Sequence, residues 1–388
     1  MIPLLSITAG AAFLRDAATN RADAEASCCV FFHKFLFSEQ TAMATTQAPA
    51  RTDVPVVERV MQMANGFALS SALYAVTKLN IPDLLAHGPR AVSELAAATK
   101  SNEDALYRVL RALAMVGVFE EKARRNFALT TFSEALRAGA PDSVKELVLW
   151  MGNRFHFHVW AELAYSLETG KPAVEHVYGK PAFEAIEDLP DVAHDFNTGM
   201  TCMSRQLAPA VLAAYDFSGI DTLMDVAGGH GFILCEILTR YPKLKGILFD
   251  MPSVVEDPKC AQCLLNVNHR CRTMAGNFFE HIPGGADAYY MQHIIHDWDD
   301  EPALKILDNC RQALKGQKNG RLLVVDSVIP ESPEPHFGKL LDLEMLLMPG
   351  GRERTEPEFR ALFAKAGFEI MRIVPTRRPD SVIEARLQ

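Results

Sequence analysis

Residues 221–250 read DTLMDVAGGHGFILCEILTRYPKLKGILFD. TLMDVA, residues 222–227, is short, apolar and suited to a buried strand. Three glycines follow among residues 228–231, then a helical run to Pro242, then a second strand, KGILFDM, at 245–251. A strand, a tight turn, a helix and a strand of this size make one βα unit of a parallel sheet. Downstream the alternation continues. Residues 253–266 read as a helix, 272–279 as a strand, 286–296 as a strand, 301–314 as a helix and 320–329 as a strand. Residues 356–366 form a helix capped by Gly367, and 368–376 with 381–387 close the chain as a β-hairpin. Repeated βα units predict an α/β fold: a mostly parallel sheet with helices on both faces, closed by an antiparallel strand.

Upstream, the pattern is different. VVERVMQMANGFALSSALYAVTKL, residues 56–79, carries apolar residues at three- and four-residue spacing. A helix from Ser93, a turn at Lys100–Asn102, a helix over 103–115 with Gly117 after its end, and a hairpin within 118–130 follow in winged-helix order. The second helix offers Arg108 and Arg111, but is otherwise Ala, Leu, Val and Met, and is expected to be buried on most sides. That suits packing or dimerisation better than groove reading. Residues 140–205 read as mainly helical and hold LVLWMGNRFHFHVWAEL, residues 147–163, which suits either core or the wall of an aromatic ligand pocket. The expected division is an N-terminal extension at 1–52 with the composition of a disordered segment, a mainly helical region at 53–205, and a sheet region at 206–388. Met43 reads as an alternative start that would leave 1–42 outside the fold.

The chain has 388 residues, 49% apolar and 22% charged, with a net charge of -9. That balance suits a globular protein and disfavours nucleic acid or an anionic membrane as partner. No apolar run reaches the ~20 residues that span a bilayer. The eight cysteines form no secretory framework, so reduced thiols in a cytoplasmic protein are expected. Cys260, Cys263, His269 and Cys271 bring zinc to mind, but the second pair lacks ligand spacing, and no metal is expected.

The chemistry-bearing residues sit at strand ends. In Asp225-Val-Ala-Gly-Gly-His-Gly231 the dinucleotide fingerprint fails: counting from Gly229, its third glycine would stand at Leu234. Asp225 would repel a pyrophosphate, whereas S-adenosylmethionine carries an amino group and a sulfonium that an acidic neighbour favours. Asp250, ending the next strand, stands where a carboxylate accepts from a ribose diol. Asn277 and Phe278 could supply an edge and an apolar face to adenine. His296, at the end of the fourth strand, can take a proton from a hydroxyl near neutral pH. Either Asp326 or Glu353 could orient it.

Together MDVAGGHG, GILFDMPSVV, AGNFFEHIPGGADAYYMQHIIHDWDDE and LLMPGGRERTEPEFRALFAKAGF resemble the plant-type and bacterial small-molecule O-methyltransferases, the caffeate and acetylserotonin O-methyltransferase family. The likeness runs from about Val54 to Gln388. It implies a Rossmann-like methyltransferase sheet and a winged-helix domain that dimerises and completes the partner's pocket. It implies S-adenosylmethionine as cofactor, S-adenosylhomocysteine as product, and a small, aromatic hydroxyl acceptor. His296 would be the base, flanked by Asp326 and Glu353, with Asp297 at the substrate. Met200, Ser204, Gly229, Asp250, Asn277 and Phe278 match cofactor positions, joined here by Asp225, Gln292 and His293. Trp160, Met345 and Met348 are expected to shape the acceptor pocket. The chain departs from the family at Ala227, for a glycine, at Asn277-Phe278, for Asp-Met, at Gln292, for the plant lysine, and at Asp326, for a glutamate; residues 257–272 read as an insertion.

Overall fold

The computed structural model describes residues 55–388; the readings of 1–52 and of Met43 as a start lie outside them. The chain divides after Gly66. In the first unit the described part is one helix, α1 (Val56–Ala64), whose Val56, Val57, Val60, Met61 and Met63 are exposed. The stretch of helical spacing over 56–79 is divided at Asn65, where the α1 cap stands before α2 (Gly66–Lys78).

From Phe67 on, the chain is one unit. Its first part holds α2, α3 (Ile81–Leu84), β1 (Arg90–Ala91), α4 (Val92–Thr99), α5 (Glu103–Met115), β2 (Phe119–Ala123), β3 (Asn126–Leu129) and α6 (Thr131–Glu134). Asn102 caps α5 by accepting from Ala105 N at 3.0 Å. β3 pairs antiparallel with both β2 and β1. This is the helix–turn–helix–hairpin order. One expectation needs correcting: α5 buries only Leu106, Leu110 and Leu113, so it is amphipathic rather than enclosed. Those three pack with Val76, Ile81, Val92, Phe119 and Phe127.

Helices α7 (Lys145–Met151), α8 (Arg154–Ala161), α9 (Leu163–Thr169), α10 (Ala173–Tyr178), α11 (Ala182–Glu187) and α12 (Pro190–Ala214) lead to the large sheet. It contains β4 (Thr222–Val226), β5 (Lys245–Asp250), β6 (Cys271–Ala275), β7 (Ala288–Gln292), β8 (Arg321–Ser327), β9 (Phe368–Pro375) and β10 (Asp380–Leu387), in the order β6-β5-β4-β7-β8-β10-β9. β4 to β8 pair in parallel, and β10 runs antiparallel to both β8 and β9. The interleaved helices are α13 (Phe232–Arg240), α14 (Pro252–Val255), α15 (Pro258–Leu264), α16 (Asp300–Ala313), α17 (Gly338–Leu347) and α18 (Glu356–Lys365). One apolar layer joins Met224, Ile247, Tyr289, Val324 and Ile383 to α16 and α18. The other joins Leu223, Leu248, Tyr290, Val325 and Val382 to α12 and α13. Side chains of a strand alternate between faces, so both layers form from near-continuous apolar strands.

Two element boundaries differ from expectation. The helix expected over 253–266 is two short ones, because Pro258 has no N–H to donate and Asp257 instead caps α15 through Lys259 N at 2.8 Å. The strand expected to reach residue 296 stops at Gln292, because His293 adopts φ 56°. A 3-10 turn over Ile295–Asp297 then carries His296.

Candidate active site

Beyond β4 the backbone turns left-handed at Ala227 (φ 57°), Gly229 (59°) and Gly231 (77°), and α13 begins. Gly228 has no room for a side chain: a Cβ would overlap Asp225 Oδ2 and the Leu248 side chain. Asp225 is buried, and its Oδ2 has no hydrogen-bond partner. Burial, then the charge of Asp250, pushes its carboxyl up to about 8. Asp250 accepts from Gly229 N at 2.8 Å through Oδ2 and from Met251 N at 2.7 Å through Oδ1. Burial pushes this carboxyl up to about 6, against those two hydrogen bonds. An ionised carboxylate has about four acceptor positions, so room for diol donors remains. His230 fastens the turn: its Nδ1 lies 2.8 Å from Thr201 Oγ1 on α12 and its Nε2 lies 3.6 Å from Asp257 Oδ2.

Around this turn, Gln292 donates to Ser204 Oγ at 3.1 Å and accepts from Tyr290 OH at 2.8 Å. Asn277 Oδ1 accepts from Phe279 N at 2.9 Å, closing a turn on its own chain. Phe278 is half-buried, edge-on to Phe279 at 4.7 Å and near Trp298 at 6.1 Å. Met200 packs against the apolar cluster of Trp150, Phe155, Val159 and Met348.

The second group gathers beyond β7. His296 Nδ1 lies 2.6 Å from Glu353 Oε1, and its Nε2 lies 3.5 Å from Asp297 Oδ1. The Nδ1 contact fixes which tautomer suits the site: Nδ1–H donates to the carboxylate and Nε2 keeps a lone pair. Glu353 is held in turn by its own N–H donating to Asp342 Oδ1 at 2.8 Å. Burial pushes Glu353 up to about 8 and Asp297 up to about 7. Asp326 is fully buried, neither of its oxygens has a hydrogen-bond partner, and burial pushes it up to about 6. Of the two carboxylates the sequence left open, Glu353 is therefore the one bonded to the imidazole.

The segment after α17 grips the His296 turn. Arg352 N donates to His296 O at 2.8 Å. Gly351 passes so close that a Cβ would overlap that same carbonyl. Buried Arg354 donates to Trp298 O and Asp300 Oδ1, both at 2.9 Å, and to Ile295 O at 3.2 Å.

On the other side, Met345 and Met348 are buried, and Trp160 is half-buried. Trp160 Nε1 donates to Glu344 Oε2 at 2.7 Å, and His156 Nε2 lies 2.7 Å from Glu344 Oε1. Trp150, Phe155 and His156 are buried, as packing residues would be. Sequence reading missed Glu344, Arg354, Asp380 and the fastening by His230. Arg354 lies inside the PGGRERT stretch quoted for the family likeness, while no local pattern in the sequence marks Glu344, Asp380 or His230. The cysteines of residues 260–271 gather no metal site: among the described residues no group of three or more His, Cys, Asp or Glu is arranged to hold an ion.

The O-methyltransferase domain family matches residues 160–369, and the O-methyltransferase dimerisation domain matches 61–139. The chain belongs to the O-methyltransferase family. It is 39% identical to the phenazine O-methyltransferase PhzM of Lysobacter antibioticus, over 86% of this chain and 97% of that one. It is 34% identical to the 8-amino-8-demethylriboflavin N,N-dimethyltransferase of Streptomyces davaonensis, over 88% of this chain and 97% of that one. Among solved structures, human N-acetylserotonin methyltransferase in complex with S-adenosylmethionine superposes with a TM-score of 0.79, at 26% identity, over 87% of this chain and 99% of that one. This O-methyltransferase uses S-adenosylmethionine. Its residues fit that cofactor: a buried Asp225 oxygen without a hydrogen-bond partner stands at the turn, and Gly229, where a Cβ would meet nothing within 4 Å, leaves the turn open to close approach.

Proposed function

We propose that this O-methyltransferase methylates a hydroxyl on a small aromatic molecule, with His296 as general base. The observation that carries this is the buried His296–Glu353 contact of 2.6 Å, beside strand ends whose glycine turn suits the cofactor. Bound S-adenosylmethionine supplies an electrophilic methyl group on a sulfonium. Asp225 and Asp250 would hold its charged and ribose parts, with Gly229, Met200, Ser204, Gln292, Asn277 and Phe278 around them. His293 was also expected there, but its ring is engaged by Asp380 at 2.8 Å. His296 Nε2 takes the acceptor's proton, and Glu353 stabilises the imidazolium through Nδ1. Asp297, next to Nε2, holds the acceptor's polar edge, while Asp326 adds negative charge behind the ring. Trp160, Met345 and Met348 form the acceptor wall; thioethers suit an irregular planar ligand. Most acceleration comes from positioning in a dry site.

The division into 53–205 and 206–388 crosses α12, so we assign that helix to both functions: packing under the sheet by Leu207, Ala208 and Val211, and the cofactor by Met200 and Ser204. Homodimerisation is supported by the dimerisation-domain match and by the exposed apolar side chains of α1. A cytoplasmic setting is supported by six free cysteines among the described residues. No helix of these residues is long and apolar enough to cross a membrane.

The test is transfer from labelled S-adenosylmethionine to a panel of phenols, with an aromatic amine arm because one relative is named for N-methylation. His296→Ala should lower phenol turnover by about 10² or more while cofactor binding by calorimetry persists. Undiminished turnover would remove His296 as the base.

A further inference from the structure

His293 is set apart by three observations. It is a side-chain-bearing residue at φ 56°, a strained conformation that persists only where the surroundings impose it. Its Nε2 lies 2.8 Å from Asp380 Oδ1, and that aspartate is buried. Its ring stacks on His296 with centroids 5.2 Å apart and planes 19° off parallel. The ring lies along the catalytic one, while β10 supplies the counter-charge.

The surroundings are short of positive charge. Asp297 follows His296 in its own turn, Asp326 comes from β8, Glu353 from the segment after α17 with Asp342 behind it, and Asp380 from β10. Tyr290 of β7 senses Asp326 and Asp380, and His336 senses Asp380. Arg354 lies behind Glu353, but its guanidinium is spent on Trp298 O, Ile295 O and Asp300. Both Asp326 oxygens and Glu353 Oε2 lack hydrogen-bond partners. Four carboxylates thus surround two stacked imidazoles.

We propose that His293 is a positioning residue for methyl transfer: bonded to Asp380 and stacked on His296, it is the standing cation that leaves His296 unprotonated and ready to act. Burial alone would lower the proton affinity of His293, but the charge and hydrogen bond of Asp380, with Asp326 and Glu353, outweigh it and raise it to about 9. The imidazolium therefore persists through neutral pH. It repels a second proton from the ring stacked on it and leaves His296 Nε2 open to the acceptor.

The inference rests on the reading of His296 as base, and the two fail differently. An active His296→Ala enzyme would sink the base itself. With His296→Ala inactive, the pH profile of kcat/KM in His293→Gln decides the inference. Loss of the cation leaves Asp380 uncompensated, so the acid limb should move upward by about one pH unit, roughly tenfold in activity on that limb. The double variant His293→Gln/Asp380→Asn removes cation and anion together and should return the limb towards its original place. A limb that stays put in the single variant, or moves equally in both, overturns the proposal; a merely structural role would lower the whole profile without moving the limb. Should His293→Gln fail to fold, 15N-histidine spectra of the unaltered holoenzyme decide. The expected result is His293 as a doubly protonated ring at pH 7; a neutral tautomer there overturns it.

Discussion

Ala227 bends the cofactor turn at φ 57°, where a side chain costs about 1–2 kcal/mol. Glycine would relieve that clash and surrender about 0.5–1 kcal/mol to unfolded-chain entropy. Ala227→Gly is therefore expected to raise stability by roughly 0.5–1 kcal/mol, read as a higher urea midpoint at unchanged slope. Its neighbour Asp225 makes a different kind of prediction. Burial, then the charge of Asp250, holds its carboxyl near about 8, and burial holds Asp250 near about 6. Both lie above their unfolded values of about 4, so the native state keeps protons that the unfolded chain gives up. Stability of the free enzyme should then fall as pH rises from about 4 to about 8. A cationic cofactor favours the ionised carboxylates, so its affinity should climb between about pH 6 and about pH 8, with protons released on binding. Calorimetry in buffers of different ionisation enthalpy reads that release; net proton uptake would be the wrong sign. Nothing in DVAGGHG foretold that Asp225 would be an orphan. Its residue type suggested a cation-binding site, but burial is a property of the packed sheet.

Between elements, the His296 turn owes its place to residues 351–354, far along the chain from it. Arg354 donates to two backbone carbonyls and to Asp300 across that turn, and its guanidinium is buried. A lysine cannot reproduce the fork, since its ammonium is a single point of charge. Arg354→Lys should cost about 2 kcal/mol in thermal or urea unfolding and at least about tenfold in kcat, with cofactor affinity little changed. Equal loss of kcat and cofactor binding would mean the clamp holds the whole sheet end rather than the turn. The elements themselves were largely legible, because strands buried on both faces announce themselves as apolar runs between glycine or proline breaks. What escaped was set by single residues. His293 ends β7 early through its backbone angle, Pro258 splits a helix, and α17 hid in a Pro-rich approach that reads as loop. Asp326, at a strand end, and Glu353, in a loop, were equally able to orient His296 by sequence; the folded contact of 2.6 Å is Glu353's.

For the molecule as a whole, the decisive signals were long-range in sequence but short in pattern: the βα alternation set the sheet, and HDWDDE with PGGRERT set the family. Association with a second chain is a surface property, and periodicity could point to it without naming the face. In α1 the exposed Val56, Val57, Val60, Met61 and Met63 follow one another at near-helical spacing, interrupted by Glu58, Arg59 and Gln62. Apolar side chains clustered in this way mark an interaction surface, because leaving them wet forfeits about 25 cal/mol for every Å² that a partner would cover. A second copy of the chain is the occupant that the dimerisation-domain match supports. Val57→Glu with Val60→Glu places two charges on that surface, and pairing would desolvate both. Light scattering should then report one chain of 42.9 kDa in place of two, at unchanged helical circular dichroism. A dimer of full strength in the double variant would move the interface elsewhere, and monomers in the unaltered protein at micromolar concentration would remove it.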